Sequence, residues 1–71
     1  MTHKYNIGDI VFIDYVLSFN EHIKGAAIIT EHLKGGVVGY KNEEIPVYDF
    51  IISGYENKVW TLPEYVIKWK I

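Results

Sequence analysis

The sequence predicts a small all-β domain of five or six short antiparallel strands. Strand-forming residues dominate the 71-residue chain, which holds eleven Ile, seven Val and eleven aromatic residues, and such residues favour strands over helices. Turn signals that contain Gly, Pro, Asn or Asp separate the apolar segments at short, regular intervals. A chain of this length, residues 1–71, forms one domain, and a small barrel is the arrangement that hides most of its strand edges.

The first half of the chain is predicted to alternate between apolar strands and polar turns. Residues 7–9, Ile-Gly-Asp, form a turn before a strand over residues 10–15. The polar segment 17–24 is predicted as a long loop, and residues 26–31 form the second strand. The Lys-Gly-Gly sequence at residues 34–36 then turns the chain again.

A helix over residues 17–33 is the alternative for this region. The β-branched side chains of Ile28, Ile29 and Thr30, together with Gly25, disfavour that helix because they have low helix propensity. We therefore expect strands on both sides of the loop.

The second half is predicted as strands over residues 37–41, 45–52 and 58–62, joined by turns at residues 42–44 and 53–57. Pro46 lies near the start of its strand, where a missing backbone donor is tolerated. Residues 63–65, Pro-Glu-Tyr, fit a short 3₁₀ turn. In the last strand, residues 66–71, alternation places Lys68 and Lys70 on one face and Ile67 and Trp69 on the other.

Several short segments resemble those of SH3-like barrels of bacterial and phage type. These are the Gly-Asp turn before strand one, the long first loop, the Gly-Ala pair at the start of strand two, and Leu62-Pro63-Glu64-Tyr65-Val66. The last segment is similar to the Pro-x-x-Tyr-Val segment of SH3 domains, so Pro63 and Tyr65 carry over. The Ala-Leu-Tyr-Asp-Tyr stretch and tandem tryptophan of peptide-binding SH3 domains are absent from this sequence. The resemblance therefore implies an SH3-like β-barrel rather than a proline-rich ligand groove.

The charge and cysteine content indicate the cellular compartment in which the protein is expected. Seven Lys against nine Asp and Glu give a net charge of −2, and the chain has no cysteine, which fits a reducing compartment. The N-terminal residues lack the apolar run of a signal peptide, and no apolar stretch approaches the ~20 residues of a membrane helix. We expect a cytoplasmic protein that does not bind a membrane.

Enzymatic chemistry and metal binding receive little support from the sequence. His3, His22 and His32 match no metal-ligand spacing, and adjacent strand residues such as Glu31 and His32 point to opposite faces. We expect these histidines on the surface or in loops. The paired carboxylates Glu43 and Glu44 are expected in a wet turn, and nucleophile elbows and phosphate loops are absent. We expect a non-enzymatic protein without a metal or other cofactor.

Nucleic-acid binding is the alternative function. Small barrels can bind nucleic acid through aromatic residues on a sheet face, and Lys58, Lys68 and Lys70 could form a basic strip. The chain has no arginine and is acidic overall, which is not the electrostatic footprint of such a protein.

Protein binding is the function that the composition favours. The chain has more apolar and aromatic residues than one small core can bury, unless both faces of the strand over residues 45–52 pack inside a closed barrel. Either a homodimer or a foreign partner would cover the surplus. The candidate contact residues are Phe19, Glu21, His22, Tyr55, Trp60 and Tyr65. The bias toward Ile, Tyr, Lys and Asn is typical of an AT-rich genome, and a chain this small resembles phage accessory proteins that inhibit or adapt a host or defence protein.

Overall fold

The computed structural model describes residues 2–38 and 44–71, and these residues form one antiparallel sheet. Its strands are β1 (Ile10–Ser18), β2 (Glu21–Val38), β3 (Glu44–Ile52), β4 (Trp60–Pro63) and β5 (Ile67–Lys70), in the order β4-β3-β2-β1-β5. A 3₁₀ turn, Glu64–Val66, directly precedes β5. The prediction of an all-β chain with a 3₁₀ turn before the last strand is confirmed.

The sheet is open between its two outer strands. Within residues 2–38 and 44–71, β4 and β5 pair only with β3 and β1 respectively, so no hydrogen-bonded ladder closes a barrel. The same part of the chain contains no helix long and apolar enough to cross a membrane.

Strand β2 is shared by both halves of the sheet. Its first half pairs with β1 and its second half with β3, so Ile28 lies opposite both Ile10 and Ile51. Thr30 is an extra residue in the ladder between Ile29 and Glu31, and such a bulge bends and twists a strand. The predicted turn at residues 34–36 is wrong, because β2 continues to Val38 through a second register shift. Most of the predicted strand 37–41 and turn 42–44 lies outside the described residues.

The predicted loop over residues 17–24 is also wrong. Ser18 pairs with Glu21, so Phe19 and Asn20 alone form the tip of a tight hairpin between β1 and β2. The polar residues of this segment stand on an exposed strand surface, whereas Ile23 between them is buried. The alternative helix over residues 17–33 is excluded by the same pairing.

The core lies on the inner face of the sheet. Its fully buried side chains come from four elements and are Val11 and Ile13 of β1, Ile29 of β2, Tyr48, Phe50 and Ile52 of β3, and Val66 of the 3₁₀ turn. The buried residues alternate in the first part of β1, at Val11 and Ile13, and in the last part of β3, at Tyr48, Phe50 and Ile52, as alternation along a strand requires.

The alternation predicted for the last strand is wrong. Ile67 is buried but Trp69 is exposed, because a bulge between the Phe12–Trp69 and Ile13–Ile67 pairs inserts Lys68 as an extra residue. The bulge turns Trp69 to the outer face of the sheet. The preceding strand, predicted from Lys58, begins at Trp60.

Candidate functional site

A cleft of about 440 Å³ lies at the end of the sheet where the β1–β2 hairpin tip meets the segment joining β3 and β4. Its walls are formed by Asn20, Glu21, His22 and Ile23 on one side and by Tyr55, Asn57, Lys58 and Trp60 on the other. Four of the six sequence-predicted contact residues therefore line one cleft, although they lie far apart in the chain.

A tight turn places Tyr55 in the wall of the cleft. The Tyr55 N–H donates to the Ile52 carbonyl oxygen at 2.8 Å, which closes a four-residue turn at the end of β3. Gly54 is the third residue of that turn and has a φ of +87°, a conformation that glycine adopts without steric cost. The glycine at this position thus sets the path of the backbone that leads into Tyr55.

The aromatic wall combines two rings and one cation. The rings of Tyr55 and Trp60 meet edge to face, with centroids 6.0 Å apart and an interplanar angle of 86°. The Lys58 Nζ lies 3.9 Å from the Trp60 ring centroid, a cation–π contact. The Trp60 Nε1 is buried and has no hydrogen-bond acceptor among the described residues. This wall therefore presents a large aromatic surface, and the Trp60 Nε1 behind that surface is an unsatisfied donor.

The opposite wall is polar and charged. The His22 Nε2 contacts the Asp14 Oδ1 across the β1–β2 pair. This hydrogen bond, aided by the charges of Lys24 and Lys68, holds the pKa of Asp14 below its usual range. Glu21, next to His22, is exposed at the rim.

Phe19 stands at the hairpin tip beside this cleft. It is 98% exposed, the most exposed of the large apolar side chains in the described residues. A phenylalanine ring in water at the tip of a tight turn contributes nothing to the core, so its presence calls for a reason outside the folded monomer.

Tyr65 lies away from the cleft, in the 3₁₀ turn. It lines a separate depression of about 350 Å³ together with Lys4, Glu44, Pro46 and Glu64. The structure therefore separates Tyr65 from the other predicted contact residues.

The three lysines of the nucleic-acid alternative do not form one strip. Lys58 contacts Trp60 next to β4, whereas Lys68 and Lys70 belong to β5 at the opposite edge of the sheet. The Lys70 Nζ lies 3.4 Å from the Asp9 Oδ1, and the Lys68 Nζ donates to the Tyr65 carbonyl oxygen at 3.5 Å. All three ammonium groups already have an intramolecular contact.

The sequence pattern did not predict that two of the histidines form a stacked pair. His3 and His32, expected on the surface or in loops, are half-buried and stack with ring centroids 4.2 Å apart, and both rings meet the buried Tyr48 ring edge to face. The Nε2 of His3 donates to the Val47 carbonyl oxygen at 3.0 Å, and the Nε2 of His32 donates to that of Tyr5 at 2.7 Å. His22 is exposed, as expected.

Other titratable groups are dispersed. Within the described residues no three His, Asp or Glu side chains are grouped as a metal site requires. Glu44 is exposed at the start of β3, and Glu43 lies outside the described residues. Asp49 is partly buried and accepts a hydrogen bond from the Thr61 hydroxyl at 2.6 Å.

Comparison with known proteins adds no relative. No protein-family model matches the chain, and no curated protein or solved structure shows significant similarity to it.

Proposed function

We propose that this chain is a non-enzymatic protein-interaction module of the SH3-like type, which grips a segment of another protein in the Tyr55–Trp60 cleft. One observation carries the proposal: the cleft joins an aromatic wall, a buried indole N–H without an acceptor, and a nearby phenylalanine that is almost wholly exposed. The SH3-like assignment is supported by the meander of β1 to β4, by β5 returning to pair with β1, and by the 3₁₀ turn before β5.

The energetics of such a site favour a protein partner. Tyr and Trp rings supply large contact areas at low cost in conformational entropy and dominate the free energy of many interfaces. A buried donor without an acceptor costs about 1–3 kcal/mol, so a partner carbonyl that reaches the Trp60 Nε1 as the cleft wall adjusts relieves this cost on binding. The rim residues Glu21 and Lys58 carry opposite charges, which favours a partner segment that carries both.

The proposal is tested by selecting ligands from a library of random peptides displayed on phage. We expect peptides that bind the immobilised chain and whose affinity falls at least tenfold for Tyr55→Ala and for Lys58→Ala, a loss of about 1.4 kcal/mol or more. Trp60→Phe keeps an aromatic ring but removes the N–H together with part of the indole surface, so its loss of affinity sets an upper limit on the value of the indole donor. Phe19→Ala tests the hairpin tip in the same assay.

Tyr65→Ala is the matched control, because Tyr65 is another exposed tyrosine that lies outside the cleft. It should leave the affinity unchanged. The proposal is wrong if the selected peptides bind the Tyr55 and Lys58 variants as well as the wild type, or if Tyr65→Ala alone abolishes binding. A parallel titration with single- and double-stranded oligonucleotides at low salt should show no binding, and binding there would favour the nucleic-acid alternative.

A further inference from the structure

The outer face of the sheet carries an apolar surface that the proposed cleft does not use. Strand pairing places its side chains in two rows. Each row crosses three strands, and together the two rows cover β5, β1, β2 and β3. One row holds Trp69, Phe12 and Ala26, and the other holds Ile10, Ile28 and Ile51. We call these six residues the outer patch.

Several residues of the outer patch are exposed although they are large and apolar. Trp69 is 55%, Ile10 48% and Ile28 40% exposed. The Trp69 ring stacks on the Phe12 ring with centroids 4.5 Å apart, so the two form one flat apolar block. The small side chain of Ala26 leaves a depression of about 220 Å³ beside Ile28 and Ile51.

The ends of the outer patch carry opposite charge. Lys24 and Lys68 lie beyond the row that contains Phe12. Asp14 lies beside them, but its carboxylate is already in contact with His22. Beyond the Ile28 row, Glu31 and Asp49 lie directly opposite each other on β2 and β3. Two like charges in a cross-strand pair are unfavourable within one sheet, and a basic surface placed over them removes that cost.

These charges are symmetric about Ala27. Lys24 precedes Ala27 by three positions, and Glu31 follows it by three in the ladder because Thr30 is the extra residue of a bulge. Ala26 and Ile28 flank the same point. Consider a two-fold axis that lies between two facing copies of the sheet and runs across the strands over Ala27. It would bring Ile28 of one copy onto the Ala26 depression of the other, and Lys24 of one copy onto Glu31 of the other.

We infer that the outer patch is the interface of a homodimer in which two copies pack face to face about this axis. The patch with its charged ends covers about 19 Å across four strands and about 20 Å along them. In projection this footprint is about 380 Å², to which the side chains standing above the sheet add, so the interface lies at or below the roughly 600 Å² per partner of small stable interfaces and belongs to the weak, reversible class. An apolar centre with a charged rim is the usual anatomy of such an interface.

The first test is the molar mass of the full chain by sedimentation equilibrium over about 5–300 µM, a range that brackets micromolar dissociation constants. We expect a monomer–dimer equilibrium whose association constant falls at least tenfold for Ile28→Lys. Val59→Lys is the matched control, because Val59 is another exposed apolar residue but lies outside the patch, and it should dimerise like the wild type. A wild type that stays monomeric throughout, or an Ile28→Lys variant that dimerises normally, overturns the inference.

The second test is a charge exchange that does not alter the apolar rows. Lys24→Glu and Glu31→Lys should each weaken the dimer, and the double variant should restore it because opposite charges again meet across the axis. Circular dichroism establishes that each variant is folded. A double variant that is weaker than both single variants overturns the two-fold arrangement. The peptide-binding assay is independent of this result, since no residue of the cleft is changed.

Discussion

The Tyr48 hydroxyl joins three parts of the chain at the edge of the core. It donates to the Glu64 carboxylate of the 3₁₀ turn and accepts the Tyr5 N–H at 3.2 Å. Its ring is fully buried under the stacked His3 and His32 rings. Burial, followed by the hydrogen bond to Glu64, raises the pKa of Tyr48 to about 12.

This raised pKa predicts a loss of stability in alkali. An unfolded tyrosine releases its proton near pH 10, whereas folded Tyr48 holds it to about pH 12. The folded state therefore binds more protons between these values, so the free energy of unfolding falls as pH rises from 10 to 12. The two pKa units correspond to a loss on the order of 2–3 kcal/mol.

Urea unfolding at a series of pH values measures the effect. Tyr48→Phe should be less stable than the wild type at pH 7, because the Glu64 carboxylate and the Tyr5 N–H lose a partner, but should lose less stability between pH 10 and 12. Tyr65→Phe, which changes an exposed tyrosine, should keep the wild-type slope. An identical slope in Tyr48→Phe would show that Tyr48 is not the group that titrates.

The sequence revealed Tyr48 as part of an apolar strand but not its environment. Strand propensity and alternation are local, so they predicted β3 as residues 45–52, within one residue of the observed strand. The contacts of His3 and His32 with Tyr48 join residues 45 and 16 positions apart in the chain. No spacing rule relates such positions, and the pattern therefore left both histidines on the surface.

The turn that ends β3 shows how one residue positions part of the cleft. Gly54 has a positive φ, and a methyl group at its Cα would meet no described atom within 4 Å. Gly54→Ala should therefore lower the free energy of unfolding by about 1 kcal/mol through backbone strain alone. It should also weaken peptide binding, because Tyr55 follows it directly. Ser53→Ala, an exposed change in the same turn, should alter stability by less than about 0.5 kcal/mol. Equal effects of the two variants would remove this role for Gly54.

The β1–β2 hairpin and β5 mark where element prediction failed. The polar side chains of Ser18, Glu21 and His22 predict a loop because polar residues cluster in loops, yet these residues lie in β1 and β2, and a half-exposed strand also carries polar residues on its outer face. The bulge at Lys68 in β5 reversed the face of Trp69. Bulges depend on the register with a neighbouring strand, and a single strand's own alternation does not contain that register.

For the molecule as a whole, the sequence predicted the fold class but not how the sheet is held at its ends. Residues 34–36 suggested a turn between two short strands, whereas β2 is one long strand that both halves of the sheet share. Likewise, His22 and Trp60 belong to one cleft only because β1 and β2 bring the hairpin tip next to the segment before β4. Such long-range proximity is a property of the assembled sheet.

The N-terminal segment ties the other end of the sheet together. The backbone N–H of Lys4 donates to Glu64 at 3.1 Å, and the segment also bonds to Val47, Tyr48 and His32 through His3 and Tyr5. Four hydrogen bonds thus connect it to β2, β3 and the 3₁₀ turn, and the Tyr5 ring packs against the core.

Removing residues 2–5 should therefore lower the free energy of unfolding by about 2–4 kcal/mol. Four hydrogen bonds at about 1 kcal/mol each are lost together with the packing of Tyr5, and the conformational entropy that these residues lose on folding in the full chain offsets part of that loss. Removing Thr2 alone, which is exposed, should change it by less than about 0.5 kcal/mol. Urea titration monitored by tryptophan fluorescence measures both values. Because Trp60 lines the cleft, its native fluorescence, measured in a Trp69→Phe background, should be the same in the shorter chain if the cleft persists. Equal stability of the two truncated chains would mean that the segment does not hold the sheet, whatever its contacts.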